Sequence, residues 1–335
     1  MLRIFEFEIN NGEKKSKMIP VGSYSNGSIV YIPVMVLCGK NQGSTLWITG
    51  AVHGDELNGS QAMWELFKTI SPNSLYGNII ITPIANPLAL LNREKISNID
   101  YLDMDQVFPG DPNGLFTQRI AYRLFEEIKK HSDFLLSFHT LGSHYDAIPY
   151  TVSKKANNLP QEIINKSRQM ALDFGLETNC FVDLSSSKDE LPGATTGALD
   201  VMCMQSGIPA FMAEVGSGGK IDGSFVSLAY ECTMNLLASI GIIKKPCKKP
   251  LKQYAIKSRK FLRADMAGII KMNVSPGMNV SRGDEFYQTH YFSNEEFNAK
   301  FNEDSYIIAT RINPVVSTGD RIAFVGTDWE TLDNE

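Results

Sequence analysis

The sequence predicts an α/β protein extended by a small all-β module, and three observations carry that prediction. Strand-like and helix-like apolar patterns alternate from about residue 29 to 250, the signature of a layered α/β fold. The helical period then disappears, and residues 256 to 331 read as strands and turns only. Between the two regimes lies a short run rich in Lys and Pro, Lys244-Lys245-Pro246-Cys247-Lys248-Lys249-Pro250, which reads as a solvated linker. The expected division is therefore 1–250 and 256–331.

The elements follow in order. "SIVYIPVMVL" and "STLWITGAV" read as strands, and "GSQAMWELFKTI" as an amphipathic helix that runs into Ser71-Pro72. Next come the strand "NIIITPIA", the helix "LFTQRIAYRLFEEIKK" and the strand "DFLLSFH". The helix "LPQEIINKSRQMALDFG" stops on Gly175, a residue suited to the left-handed position after a helix. "GALDVMCMQSG" reads as a buried helix, since the spacing of Met202, Cys203 and Met204 does not gather them on one face as soft-metal ligands would need. "IPAFMAEVG" is a strand and "SFVSLAYECTMNLLASIG" a closing helix. Beyond the linker, "GIIKMNVSPGMNVSRGDEF" and "YIIATRINPVVSTGDRIAFVG" each carry a Gly-Asp turn before an apolar strand. They look like related halves of a barrel-sandwich-like unit similar to biotinyl and lipoyl domains, although Lys271 does not sit where a carrier lysine would.

Composition narrows the function classes. The 335 residues are 43% hydrophobic, 21% charged and 10% aromatic, ordinary for a globular chain with ample length for a core. A net charge of -5 gives no basis for a polyanionic partner, so nucleic acid is not expected. The N-terminus lacks a basic segment followed by an apolar one, and no run of 18 apolar residues occurs, so neither export nor membrane insertion is expected. Five cysteines (Cys38, Cys180, Cys203, Cys232, Cys247) without C-x-x-C spacing read as reduced core residues of a cytoplasmic protein. Assembly into a homo-oligomer stays open.

Chemistry gathers at three strand ends. "ITGAVHGDELNG" places His53 and Glu56 just after the strand "TLWITGAV", where open α/β sheets put their ligands. An H-x-x-E pair alone is as well explained by a polar loop. His139 ends "DFLLSFH" in the same manner, and a buried run terminating in His-Thr needs a partner for its imidazole. His53, Glu56 and His139 together suit Zn²⁺, which takes imidazole and carboxylate ligands and keeps an open position when catalytic. Glu214 closes "GIPAFMAEVGSGG" and could move a proton between water and a leaving amine.

Read in order, "GAVHGDELNG", "PIANPLAL", "DMDQVFPGDPNG", "SFHT" and "GIPAFMAEVGSGG" resemble the succinylglutamate desuccinylase/aspartoacylase family of zinc carboxypeptidase-like amidohydrolases, across essentially the whole chain. The resemblance implies a mixed sheet with helices on both faces, one Zn²⁺ held by His53, Glu56 and His139, and Glu214 as general base. It also exposes departures. The family's Asp-Leu-Asn-Arg is Asp103-Met104-Asp105-Gln106 here, so the Asn-Arg clamp for a substrate carboxylate is gone. The family's oxyanion-stabilising Arg falls on Lys95 by ungapped counting, or on Arg93 with a small shift. Ser137 stands where an Asp often orients the following His.

The expected activity is zinc-dependent deacylation of an N-acylated small molecule. The lost clamp argues against a simple N-acyl amino acid, and Asp105 suggests an ammonium or hydroxyl group in its place. Asp105, Gln106 and His144 are the candidate substrate-binding residues, although a loop histidine without a role explains His144 as well. A peptidase acting on small peptides or cell-wall fragments, and a non-catalytic metal-binding relative, are the competing readings. Asp55 reads either as an orienter of His53 or as a turn residue, and His131 and His290 read as surface residues.

Overall fold

The computed structural model describes residues 1–186, 197–290 and 296–334; the side chain of His290 lies outside the described residues. The chain opens with a short antiparallel pair, β1 (Leu2–Ile4) and β2 (Phe7–Ile9), then the strands β3 (Lys14–Ser23), β4 (Ile29–Cys38) and β5 (Asn41–Thr49). Helix α1 (Asn58–Thr69) and strand β6 (Tyr76–Thr82) complete a crossover that leaves β5 and β6 parallel. The short α2 (Pro87–Asn92) begins on a proline, whose fixed φ suits the first helical turn, and Asn86 caps it by accepting from the Ala89 N–H. Then follow α3 (Phe116–His131), β7 (Phe134–His139), β8 (Tyr145–Ala147), β9 (Tyr150–Lys155), α4 (Gln161–Phe174), β10 (Thr178–Asp183), α5 (Leu199–Gln205), β11 (Ala210–Glu214) and α6 (Gly223–Ser239). Gly175 takes a φ of 94° at the end of α4, as its position in the sequence implies.

Alternation along β5 explains the layers. Trp47 joins a core with Ile120 and Leu124 of α3 and with Leu199 and Cys203 of α5. Its neighbours Leu46 and Ile48 face the other way, into a core with Leu66 of α1, Met170 and Phe174 of α4, and Leu236 of α6. Helices therefore cover both faces of a mixed sheet.

After α6 come β12 (Lys252–Arg263), β13 (Gly268–Met272), β14 (Asn279–Val280), β15 (Glu285–His290), β16 (Glu296–Lys300), β17 (Ser305–Arg311), β18 (Val315–Val316) and β19 (Arg321–Asp333). The main sheet runs in the order β14-β17-β19-β12-β10-β9-β11-β7-β5-β6-β4-β3, with β8 paired to β17. It crosses the Lys/Pro segment without interruption, because β12 lies parallel to β10 and antiparallel to β19. A separate sheet is ordered β16-β15-β13-β18. Four of the cysteines are buried, Cys247 is exposed, and none forms a disulfide among the described residues. Among the described residues no helix is long and apolar enough to cross a membrane.

The order fixes the site. Strands β6, β5, β7 and β11 are mutually parallel, so the residues that follow β5, end β7 and end β11 meet on one rim. Strand β9 runs antiparallel to β11, which brings its first residue, Tyr150, to the same rim. His139, Glu214 and Tyr150 are consecutive cross-strand partners and so project from one face.

Candidate active site

The loop after β5 is held tightly. Gly54 donates its N–H to the Glu94 carbonyl at 2.8 Å, and a Cβ at this position would lie 2.1 Å from the Ala89 backbone, so only glycine permits the approach. This contact ties the His53 loop to the segment carrying Lys95. His53, Glu56 and His139 are all buried, and one ligand atom from each lies within 4.8 Å of the others. Glu56 bridges the imidazoles: Oε1 is 2.9 Å from His53 Nδ1 and Oε2 is 3.1 Å from His139 Nδ1. The Thr140 N–H also donates to Oε2 at 3.0 Å.

The second nitrogen of each ring is also engaged. His53 Nε2 is 3.1 Å from Asp103 Oδ1, and His139 Nε2 is 3.0 Å from Ser137 Oγ, which in turn accepts from Thr49 Oγ1 at 3.1 Å. Both Nδ1 atoms thus point at one spot while the Nε2 atoms are fixed from behind, the arrangement that orients metal-bound imidazoles. Ser137 supplies the orienting oxygen whose loss the sequence suggested, and Asp103, to which the sequence reading gave no role, supplies the other. Asp55 does not orient His53; its carbonyl accepts from the Gly219 N–H at 2.7 Å.

The electrostatics point the same way. Burial opposes protonation of both histidines, yet Glu56, joined by Asp103 at His53 and by Asp105 at His139, raises both pKa values. Burial likewise favours neutral Glu56, but the His53 charge and the bonds to both rings hold it well below the usual carboxylate range. A site that stabilises protons on two imidazoles around one carboxylate equally favours a divalent cation in their place. The donor set, with three ligands and an open side, fits Zn²⁺.

Glu214 faces this triangle from β11. Burial pushes its carboxyl up to about 7; His139 pulls it down, and the nearby Glu56 charge adds to the rise. Its Oε2 is buried and meets no hydrogen-bond partner among the described residues. A carboxyl poised near neutrality and unengaged on one oxygen can take up and release a proton.

The cleft encloses about 130 Å³ and is lined by His53, Glu56, His139 and Glu214 together with Lys95, Asp105 and Gln106. Both cations are exposed, but Lys95 lines the cleft with Nζ 3.4 Å from Asp103 Oδ2, whereas Arg93 caps α2 with a left-handed φ of 60° and does not line it. Burial raises the pKa of Asp105 despite His139 and Lys154; its Oδ1 accepts from the Leu199 N–H at the start of α5. Gln106 sits at the rim and donates to Asp103 Oδ2 at 3.0 Å. His144 is exposed and outside the cleft; its carbonyl accepts from the Ile312 N–H. His131 is half-buried at the end of α3, with Nε2 3.5 Å from Glu127.

Tyr150, Lys154 and Arg259 also line the cleft, and nothing in the sequence singles them out. Lys154 is 4% exposed and donates to Asp200 Oδ1 at 2.7 Å, a buried ion pair between β9 and α5. Arg259 comes from β12, beyond the linker, and lays its guanidinium 5.3 Å from the centre of the Phe324 ring. No periodicity marks these residues, because each is polar in a strand whose burial comes from distant segments.

Similarity to known proteins can be set beside this geometry. The family model of the succinylglutamate desuccinylase/aspartoacylase catalytic domain matches residues 42–240. The chain is 23% identical over 337 aligned residues to the N-alpha-acetyl-L-2,4-diaminobutyric acid deacetylase of Halomonas elongata, covering 98% of this chain and 95% of the relative. The crystal structure of succinylglutamate desuccinylase/aspartoacylase from Rhodobacter sphaeroides superposes with a TM-score of 0.82 at 21% identity, over the full length of both chains. The product-bound ectoine utilization protein EutE (DoeB) from Ruegeria pomeroyi gives 0.83 at 22% identity, over 96% of this chain and 98% of that one.

Proposed function

The chain belongs to the succinylglutamate desuccinylase/aspartoacylase family, and from that premise we propose that it is a zinc-dependent deacylase of an N-acylated small molecule that carries an ammonium group. One observation carries the catalytic half: the buried His53–Glu56–His139 triangle lines the same cleft as Glu214, a buried carboxyl with one oxygen that has no hydrogen-bond partner among the described residues. Those three side chains would hold a zinc ion, which when bound would supply Lewis acidity and lower the pKa of the attacking water.

Each residue then has a defined task. Glu214 accepts the proton of the attacking water and returns it to the departing amine. Asp103 and Ser137 keep the imidazoles aimed. The Lys95 ammonium, anchored near Asp103, faces the cleft as the cation for the developing oxyanion, in preference to Arg93.

For the substrate, Asp105 places a desolvated carboxylate in the cleft where the family's clamp would hold an anion, and it gains most from a cationic group. The diamino compound named for the Halomonas relative has such a group, so its acetyl derivative is a fitting test compound. In this reading the strands after Pro250 form a barrel-sandwich-like module whose first strand closes the cleft. The test is metal analysis of purified protein with a screen of N-acyl compounds varied at the amine. Zinc near one equivalent and preference for amino-bearing substrates support the assignment. Efficient cleavage of acetylaspartate or succinylglutamate with poor cleavage of cationic N-acyl amines overturns the substrate class.

A further inference from the structure

Loss of the Asn-Arg clamp removes one reader of a substrate carboxylate, yet the cleft holds another cation that comes from elsewhere in the chain. Arg259 is 4% exposed and lines the cleft beside Glu214 and Tyr150, although it belongs to β12, after the Lys/Pro segment. Its proximity to Glu214 is electrostatically felt, for it is among the charges that oppose the rise of the Glu214 pKa.

The backbone is shaped around this side chain. The ladder between β12 and β19 breaks register twice around Ser258, and the next residue is Arg259. Such bulges re-aim side chains beside sites. The cross-strand partner of Arg259 is Gly326, where a Cβ would lie 2.8 Å from the Ile256 side chain. The guanidinium lies against Phe324, which fixes its plane. A guanidinium has five N–H donors, so it can hold one partner and still present an edge to a carboxylate.

The other two lysines of the cleft are committed differently. Lys154 is locked to Asp200 in a buried pair, and Lys95 sits with Asp103 on the side of His53. Asp105 and Arg259 therefore offer opposite charges to one occupant of a small cavity.

We infer that Arg259 is a specificity-determining residue that binds a carboxylate on the substrate, so that the cleft reads a zwitterion with an ammonium toward Asp105 and a carboxylate toward Arg259. This rests on the deacylase reading above and adds the anionic group to it. A simple N-acyl amino acid supplies only one of the two groups; an acylated diamino acid supplies both.

The experiment measures kcat/KM of the zinc-loaded full chain for Nα-acetyl-2,4-diaminobutyrate and for the monoacetylated propane diamine that lacks only the carboxyl group. The wild type is expected to favour the carboxylate compound by on the order of a hundredfold, from a bidentate charge-assisted contact. Arg259→Gln is expected to collapse that ratio towards unity, and Arg259→Lys to leave it intermediate, because a point charge replaces the fork. The ratio is taken within each preparation, so partial unfolding of a variant cancels. A wild-type ratio near unity, or a ratio unchanged in Arg259→Gln, overturns the inference while leaving the deacylase reading intact. Failure of the wild type to cleave either compound overturns the amino-bearing substrate class and the inference with it.

Discussion

Replacing Ser137 by Ala should weaken zinc binding without dismantling the site. When Nδ1 of His139 holds a metal, Nε2 must carry the ring proton, and Ser137 Oγ, 3.0 Å away, is the acceptor that the structure provides. The ring and the hydroxyl are both buried, so no water replaces the acceptor in the alanine variant. An unsatisfied buried donor costs about 1–3 kcal/mol. The metal-free protein can relax by releasing that proton, whereas the metal-bound form cannot, so the cost falls on binding. It corresponds to roughly 5- to 150-fold in affinity, in the range of about 10–100-fold typical for partners of metal-bound histidines. The assay is a competition titration of the apo protein against a chromophoric chelator at fixed pH, with Ser137→Thr as the variant that keeps a hydroxyl. Zinc affinity of the alanine variant within about twofold of wild type, or an equal loss in the threonine variant, would refute the orienting role.

The remaining predictions concern the base, the ion pair and the loop. Glu214→Gln should retain zinc and lower kcat by about 10²–10⁴-fold; undiminished turnover removes Glu214 from the mechanism. In the metal-free protein the same substitution reports the raised pKa. With a reference value of 4.5 and a folded value of about 7, the wild-type contribution is fully present below pH 4.5 and is lost as pH rises through 7. The glutamine variant should therefore unfold at higher denaturant than wild type at pH 8, by up to ~3 kcal/mol, with the gap closing near pH 5; a gap independent of pH contradicts the assignment. Asp200→Ala strands the Lys154 charge and should cost about 3–5 kcal/mol in urea unfolding, while a loss below ~1 kcal/mol would show the pair to be hydrated in solution. Gly54→Ala drives a methyl into the Ala89 backbone and should displace His53, seen as loss of bound zinc with helix content retained.

Legibility in the sequence followed how local the cause of each feature is. His53, Glu56, His139 and Glu214 stand at the ends of β5, β7 and β11, whose apolar runs announce them and whose parallel order then brings the ends together. The strand β3 was not legible because Lys14–Ser23 buries almost none of its side chains; it is a charged sheet edge, which protects against edge-to-edge pairing. Strands β9 and β10 were missed for the opposite reason. "YTVSKK" and "TNCFVD" mix polar and apolar residues without a strand's alternation, yet Thr151, Ser153, Lys154, Thr178 and Asn179 are all buried, satisfied by contacts such as Thr151 with Asn179 at 2.7 Å and Thr178 with Tyr306 at 2.9 Å.

The same distinction separates the two ends of the cleft. The end proposed to hold zinc is built from one short loop and two strand termini, so its chemistry is written in spacings a reader can see. The end proposed to hold the substrate is built from Asp105, held by the first N–H of α5, from Lys154, held by Asp200, and from Arg259, delivered by a bulge in a strand that joins the sheet only after the Lys/Pro segment. Each of those side chains owes its burial and direction to a partner tens of residues away in sequence. A polar residue whose burial depends on long-range pairing gives no period and no composition bias, and that is where specificity can change while the His-Glu-His group stays recognisable. Gain or loss of a carboxylate reader in this family is therefore expected in the strands that close the cleft, as much as in the loop that follows His53.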